Sequence, residues 1–600
     1  MATIEKYVNS GQNGNDGHTG DDAVYQPWLT IQHGVDWFRD HKQPGDTGIL
    51  NIIGAFQENA SMVGNKYSNI TIQSDPIAIA YDPAILTQYC EARPQVGGDP
   101  ASGTRRPGIV FKIERADGVV LHNLTILLAE CGVDADHAPN LTLDNCCIHG
   151  HISNRHGAGF TLNECDGFEM KQCRVWCNKA RLEGGGGALR KCQDADIAGS
   201  LFYLNEADET GGALYIDECD DVRIAGCTIG APPGPNPLDH VGPNQAKKKG
   251  GGVGIRDGTE VVFKTGIGPL PASGNVPTRI DSNTAGEVGG GIFILRDVDD
   301  CSVTLDQQTD VVANKATDAG RGVAVDGGDN AGSLPALKVL HSLIHRNRAE
   351  DGGGVFGVSL ECTIQDTRIY DNRAKSAGGG IFITGDDDGT FLNISANSVV
   401  NENRATSGAG ISGLNCPINV EDSRFLNNFA QSGGGGIDYS GDYVLEVDRV
   451  EFNHNTAPRS GGGISSTATT VIYQCRFILN EAEMGAGLNA YQARVDVEES
   501  EFTQNTAKML GGGCWIDFSP GGTVDSNKFI TNNADEGAGL TFANCDLTVL
   551  TVTGNQFDRN KDVKGAGSGA DILSYSTKAA NPAALIAANT FTGAPDVVVK

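Results

Sequence analysis

The chain has 600 residues, of which 81 are glycine and 22 proline, with 39 % hydrophobic residues and a net charge of −30. Glycine at about twice its usual share but without a Gly-X-Y period excludes collagen, and the hydrophobic content excludes a disordered chain. The charge argues against capture of nucleic acid, and no apolar run reaches the ~18 residues of a membrane helix, so direct membrane insertion is not expected.

Residues 1–50 stand apart as an N-terminal cap. The segment PWLTIQHGVDWFRDH places Ile31, Val35 and Phe38 on one face of a short amphipathic helix, with Thr30 as N-cap and Pro44-Gly45 as the stop. Such a helix suits a lid over the open end of a stacked structure. The first residues show no basic region followed by an apolar run, so no secretory signal is expected there. From GILNII (48–53) and NITIQ (69–73) onward the chain reads as strands, with residues 84–107 as an excursion.

Next comes a crowded segment. Asp134, Asp136, His137, His149, His151, Arg155 and His156 fall within barely one repeat length. Histidine titrates near neutral pH and serves as a general base, so these are the candidate catalytic residues. Turn and surface histidines in an atypical coil are the alternative, and the preferred one.

The main signal follows. An apolar residue, two variable residues and an asparagine recur, leading after five or six residues to a run of small residues rich in glycine. The asparagines are Asn178, Asn205, Asn244, Asn283, Asn314, Asn347, Asn372, Asn403, Asn428, Asn455, Asn480, Asn505, Asn532 and Asn560. Shorter intervals cluster at 25–28 residues, and longer ones read as the same unit with a loop inserted. Each unit holds three runs of period-2 alternation, for example GLNAY, ARVDVEE and SEFTQN after Asn480. Three strands per coil then pair in parallel with their equivalents one coil away, at ~4.8 Å.

In that all-β architecture the asparagines are expected to adopt the left-handed backbone of a sharp turn and to stack as a hydrogen-bonded ladder. His151 occupies the place 27 residues before Asn178, so the ladder is expected to break there. The glycine runs allow tight bends and close approach of coils. Leu214, Val253, Ile292, Val355, Ile381, Ile411 and Ile464 follow them and should stack inward. Of the sixteen cysteines, Cys165, Cys192 and Cys219 repeat at intervals of 27, as do Cys146 and Cys173. They are expected to be buried free thiols in the stack, with disulfides or a redox role as the alternative.

The same register places Glu164, Lys191 and Glu218 in one column, Asn163, Arg190 and Asp217 in a second, and Glu169, Asp196 and Arg223 in a third. Alternating signs suit ion pairs between coils. Loops are inserted at 229–240, 266–278 and 324–335. Lys247, Lys248 and Lys249 form a candidate anionic-ligand contact, and Asp386, Asp387 and Asp388 a candidate calcium site. After Asn560 the repeat decays, leaving 51–590 as the repetitive body and 591–600 as one closing strand.

The Gly-Gly-Ala-Leu runs at 186–189 and 211–214, with the Phe-x-x-Asn pairs, resemble the repeats of polymorphic outer-membrane proteins, a group of β-helical autotransporter adhesins. More broadly, residues 110–590 are similar to right-handed parallel β-helix proteins of the pectate-lyase-like superfamily. The resemblance implies a single-stranded right-handed parallel β-helix with a short N-terminal capping helix. Enzymes of that superfamily cleave or epimerise acidic polysaccharides with stacked carboxylates and a nearby Arg or Lys. Asp134-Ala135-Asp136-His137 resembles the Asp-Pro-His of mannuronate epimerases without its proline. The first functional reading is a surface-displayed or secreted adhesive rod with a polysaccharide or cell-surface ligand and no cofactor. A polysaccharide lyase, hydrolase or epimerase is the second, and a phage or injection-machine spike, which requires trimers, the third.

Overall fold

Asn428 shows how one coil is made. The strand Phe429–Ala430 follows it, then a glycine bend, then the strands Ile437–Ser440, Leu445–Asp448 and Glu451–Asn453, and the coil closes at Asn455. Each strand pairs in parallel with its counterpart in the next coil: Ile437 with Ile464, Leu445 with Thr470, Glu451 with Arg476. The computed structural model describes residues 2–11, 14–21, 28–74, 95–98, 103–231, 242–268, 274–328, 333–385, 389–563 and 570–600. Parts of the three inserted loops and of the 84–107 excursion, and Asp386, Asp387 and Asp388, lie outside the described residues.

The chain divides into two compact units, Met1–Ala316 and Thr317–Lys600, and both are parallel β-helix. The three expected faces are present, and a fourth, of mostly two-residue strands directly after the asparagine, joins them. In the first unit Leu214, Val253 and Ile292 stack in register, and in the second Val355, Ile381, Ile411, Ile437 and Ile464. All of them are buried.

The asparagine ladder is the main polar element of the core. In the second unit Asn428 Nδ2 donates to Asn455 Oδ1 (3.0 Å), Asn455 to Asn480 (3.1 Å), and Asn480 to Asn505 (3.0 Å). The same bonds run from Asn178 to Asn314 in the first unit. One expectation is corrected here. The left-handed residue is not the asparagine but the one before it: Cys177, Leu204, Asp371, Glu402, His454 and Leu479 all have φ between 51° and 56°. The asparagine is needed for its amide, which satisfies buried backbone groups, rather than for its conformation.

A second correction concerns His151. The ladder does not break there, because its backbone N–H donates to Asn178 Oδ1 (3.1 Å) and Ala129 N–H donates to its Nδ1 (3.2 Å). Histidine takes the place of an asparagine.

Phenylalanines form a parallel file in the second unit. Phe425, Phe452, Phe477, Phe502, Phe529, Phe557 and Phe591 stack with ring centroids 4.6–5.3 Å apart. The glycine bend makes room for them. A Cβ on Gly436 would lie 2.5 Å from the Gly463 carbonyl oxygen and 2.8 Å from the Phe452 ring.

Small polar side chains build a further ladder. Cys146 N–H donates to Cys173 Sγ (3.4 Å), Cys173 N–H to Ser200 Oγ (3.1 Å), and Ser200 N–H to Cys227 Sγ (3.4 Å). Cys165, Cys192 and Cys219 repeat the pattern on another turn. Among the described residues, thirteen buried cysteines and the exposed Cys177 are free thiols, and Cys147 is disulfide-bonded. Burial pushes the Cys227 and Cys475 thiols up to about 12, so they stay protonated and unreactive at neutral pH.

The N-terminal helix, α1 (Ile31–His41), is capped by Thr30 Oγ1, which accepts from His33 N–H at 3.2 Å. It buries Ile31, Val35 and Phe38. The cap also contributes a strand, Thr3–Asn9, which pairs in parallel with Thr47–Ile53. Near the other terminus a second helix, α2 (Pro582–Ala588), begins at the N-cap Asn581, and Val597–Val599 pairs with Ile572–Ser574. The sequence carries no signal for this helix, since seven residues hold too few turns for a helical period. Among the described residues no helix is long and apolar enough to cross a membrane.

Candidate functional site

In the first unit, strand alternation turns Val133 and Ala135 into the core and leaves Asp134 and Asp136 outside. Parallel pairing then extends each outward position into a column. Asp134 lies beside Thr161, and Asp136 beside Asn163, which continues to Arg190, Asp217 and Arg256. After the strand Ile152–Ser153, the chain brings Arg155 and His156 to the same side. Together with Glu130, these residues line a recess of about 430 Å³.

Hydrogen bonds fix most of the walls. Asn163 Nδ2 donates to Asp136 Oδ1 (2.7 Å), and His137 bridges Asp136 Oδ2 (3.0 Å) and Glu164 Oε2 (2.8 Å). Arg190 donates from Nη1 to His156 Nε2 (3.3 Å), which leaves the ring proton on Nδ1, facing Glu183. Behind this lies a charged brace. Arg190 Nε and Arg256 Nε both donate to Asp217, at 3.0 and 2.6 Å, and Asp217 is 1 % exposed.

The two aspartates of the recess are pushed apart in acidity. Burial raises the Asp134 carboxyl, and the Asp136 charge adds to the effect against Lys112 and Arg155. At Asp136 partial burial acts in the same upward sense, but hydrogen bonds from Asn163 and His137 outweigh it and the carboxyl is lowered. Asp134 is thus the weaker acid of the pair and Asp136 the stronger, a difference of the kind that acid–base chemistry on a sugar uses.

The structure therefore divides the sequence candidates. Asp134, Asp136, Arg155 and His156 converge on the recess, and His137 sits at its outer edge. His149 lies on another face, stacked on Trp176 at 4.1 Å, and burial lowers it to about 4. His151 is buried in the ladder. Lys247 pairs with Asp208 at 2.7 Å, Lys248 pairs with Glu209, and Lys249 lies over the Phe293 ring at 4.6 Å. Among the described residues no three His, Cys, Asp or Glu side chains gather to hold a metal ion.

Glu130, Thr161, Asn163, Glu183 and Arg190 belong to this region and were not singled out from the sequence as its members. Asn163 and Arg190 were recognised as one column, and a further step of 27 back from Asn163 gives Asp136. That arithmetic was the available signal.

Asp217→Asn tests the brace. It leaves two guanidinium groups, each about a third exposed, around a weaker acceptor. The expected cost to the first unit is about 2–3 kcal/mol in urea unfolding.

The family described as "Right handed beta helix region" matches residues 408–591. No curated protein matches the chain. Among solved structures, the GH136 lacto-N-biosidase from Eubacterium ramulus aligns at 10 % identity over 82 % of this chain, with a TM-score of 0.21. The chain spans 64 % of the length of that enzyme. PfbA, a surface adhesin of Streptococcus pneumoniae, aligns at 11 % identity over 81 % of this chain and 91 % of its own, with a TM-score of 0.19. None of these likenesses assigns an activity.

Proposed function

We propose that this β-helix protein is a surface-displayed or secreted adhesin that binds carbohydrate in the first-unit recess. The observation that carries the reading is the mixed lining of that recess. Arg155, Arg190 and Asn163 supply donors, while Glu130, Asp134 and Asp136 supply acceptors, within about 430 Å³. Sugar hydroxyls need both kinds at short range. The ladders hold these side chains on rigid strands, which limits the ordering cost of binding.

A panel of neutral and acidic oligosaccharides titrated against the full chain tests this. Binding of at least one is expected, weakened about ten-fold in both Asp134→Asn and Arg155→Ala with thermal stability kept. Binding that both variants leave untouched would place the ligand elsewhere.

The opposed acidities of Asp134 and Asp136 support a second reading, a glycoside hydrolase, with Asp134 as acid and Asp136 as the ionised partner. Incubation with neutral glycans and polyuronates should then release new reducing ends, and Asp134→Asn should abolish them. The rate should fall as pH rises through the elevated Asp134 value, since the protonated form is the active one. Intact substrates, with binding retained, would leave the adhesive reading standing alone.

A further inference from the structure

In the second unit the residue after the ladder asparagine is arginine on three consecutive coils: Asn347-Arg348-Ala349, Asn372-Arg373-Ala374 and Asn403-Arg404-Ala405. Arg348 pairs in register with Arg373, and Arg373 with Arg404. The three side chains therefore leave one face a coil apart, at about 4.8 Å. All three are exposed, and the alanines beside them turn inward. Phe429 takes the next place in the file, opposite Arg404, and is 40 % exposed. The column borders a recess of about 470 Å³.

Like charges directly opposite on neighbouring strands destabilise a sheet. A neighbouring face of the same unit avoids this, with Arg424, Glu451, Arg476, Glu501 and Lys528 alternating in sign at every step. The arginine column does not alternate. Nearby carboxylates are engaged with other cations, Glu350 with Lys375 at 2.8 Å and Asp371 with Arg346 at 3.7 Å. Among the described residues Arg348, Arg373 and Arg404 form no ion pair. In a chain of net charge −30, three stacked cations oppose folding locally and are complementary to an anion from outside.

We propose that the column Arg348–Arg373–Arg404, ending at Phe429, binds an acidic polysaccharide strand that lies along the direction in which the coils stack. The planar guanidinium fork matches a carboxylate or sulfate group with two parallel hydrogen bonds. One coil is about as tall as one pyranose unit is long, so one charge per sugar meets one arginine per coil. Phe429 offers an apolar face to a sugar ring. A duplex nucleic acid fits less well, because its phosphates wind around the helix as they advance ~3.4 Å along its axis per base pair and so cannot follow a straight column of arginines, and its dense charge is repelled by the acidic chain. The column lies in a different unit from the recess of Asp134 and does not depend on the reading given to it.

The test is calorimetric titration of the full chain at low salt with hexagalacturonate, a heparin-derived hexasaccharide and a neutral galactan hexasaccharide. At least one acidic hexasaccharide should bind and the neutral one should not, with carboxylate and sulfate sources told apart by which of the two binds. Arg373→Gln should weaken binding about ten-fold and Arg373→Glu further, with added salt acting in the same direction. Arg476→Gln, on the face where the charges alternate, should leave it unchanged. Because the arginines repel one another, Arg373→Gln should also melt at the same or a higher temperature than the wild type, which separates lost binding from lost folding. Binding of neither acidic sugar would overturn the proposal, as would binding that Arg373→Glu leaves intact. Tighter binding of a DNA duplex than of either sugar would also overturn it.

Discussion

Asn455→Ala is expected to destabilise the second unit by about 4–6 kcal/mol, because several buried groups lose their partners at ~1–3 kcal/mol each. Asn455 Nδ2 donates to the Phe425 carbonyl (2.8 Å) and to Asn480 Oδ1 (3.1 Å). Its Oδ1 accepts from the Asn428 backbone (3.1 Å) and from Asn428 Nδ2 (3.0 Å). Alanine keeps the backbone and removes all four bonds, leaving the Asn428 N–H without a partner and the Phe425 carbonyl, the Asn428 amide and the Asn480 amide each one bond short in a site closed to water. In a structure whose coils touch only their neighbours, the damage falls on the interfaces above and below. Urea unfolding should show it as a fall in midpoint. Asn453→Ala, two residues away on an outward-facing position, should cost under about 1 kcal/mol. Equal losses in the two variants would mean that the ladder contributes nothing beyond an ordinary surface amide.

The repeat was legible because one interval governs both the hydrophobic columns and the asparagines. Register followed from it, and so did the inward stacking of Val355, Ile381 and Ile411. What escaped was short or chemically plain. The strands after each asparagine, such as Phe429–Ala430, span two residues and cannot show an alternation. The left-handed position passed unnoticed because Cys177, Leu204, Glu402 and Leu479 share no side-chain chemistry, only a backbone angle set by the turn. Asparagine drew attention through its amide and was credited with the conformation as well. In the site, Asp134 and Asp136 were visible as titratable residues, but their unequal acidity depends on burial and on Asn163, which lies a coil away. The Asn-Arg-Ala triplets stood in plain view. Only the register, applied to the position after the ladder asparagine, turns three separate arginines into one column.

His151 gives the sharpest pH-dependent result. Leu128 and Gly150, at φ 52° and 74°, precede Ala129 and His151 as a left-handed residue precedes every ladder asparagine except Asn244, which follows Pro243. The ring is buried, with Nδ1 accepting from Ala129 N–H (3.2 Å) and Nε2 donating to the Ile126 carbonyl (3.1 Å). Both nitrogens are thus committed to backbone, which removes His151 from any role as a catalytic base. A second ring proton would face the Ala129 N–H. Burial accordingly lowers the group to about 3. In the unfolded chain it titrates near ~6.5. Between those values the unfolded state takes up a proton that the folded state refuses, so stability is complete above about 6.5 and declines as pH falls towards 3. The loss should reach a few kcal/mol by pH 4, at up to ~1.4 kcal/mol per pH unit. Substitution by asparagine, the residue that other coils use at this position, should preserve the fold and abolish this part of the acid sensitivity. The urea midpoints of wild type and His151→Asn should therefore differ in their pH dependence between 7 and 4 by that amount. Parallel curves would show that the ring is not what makes the first unit labile to acid.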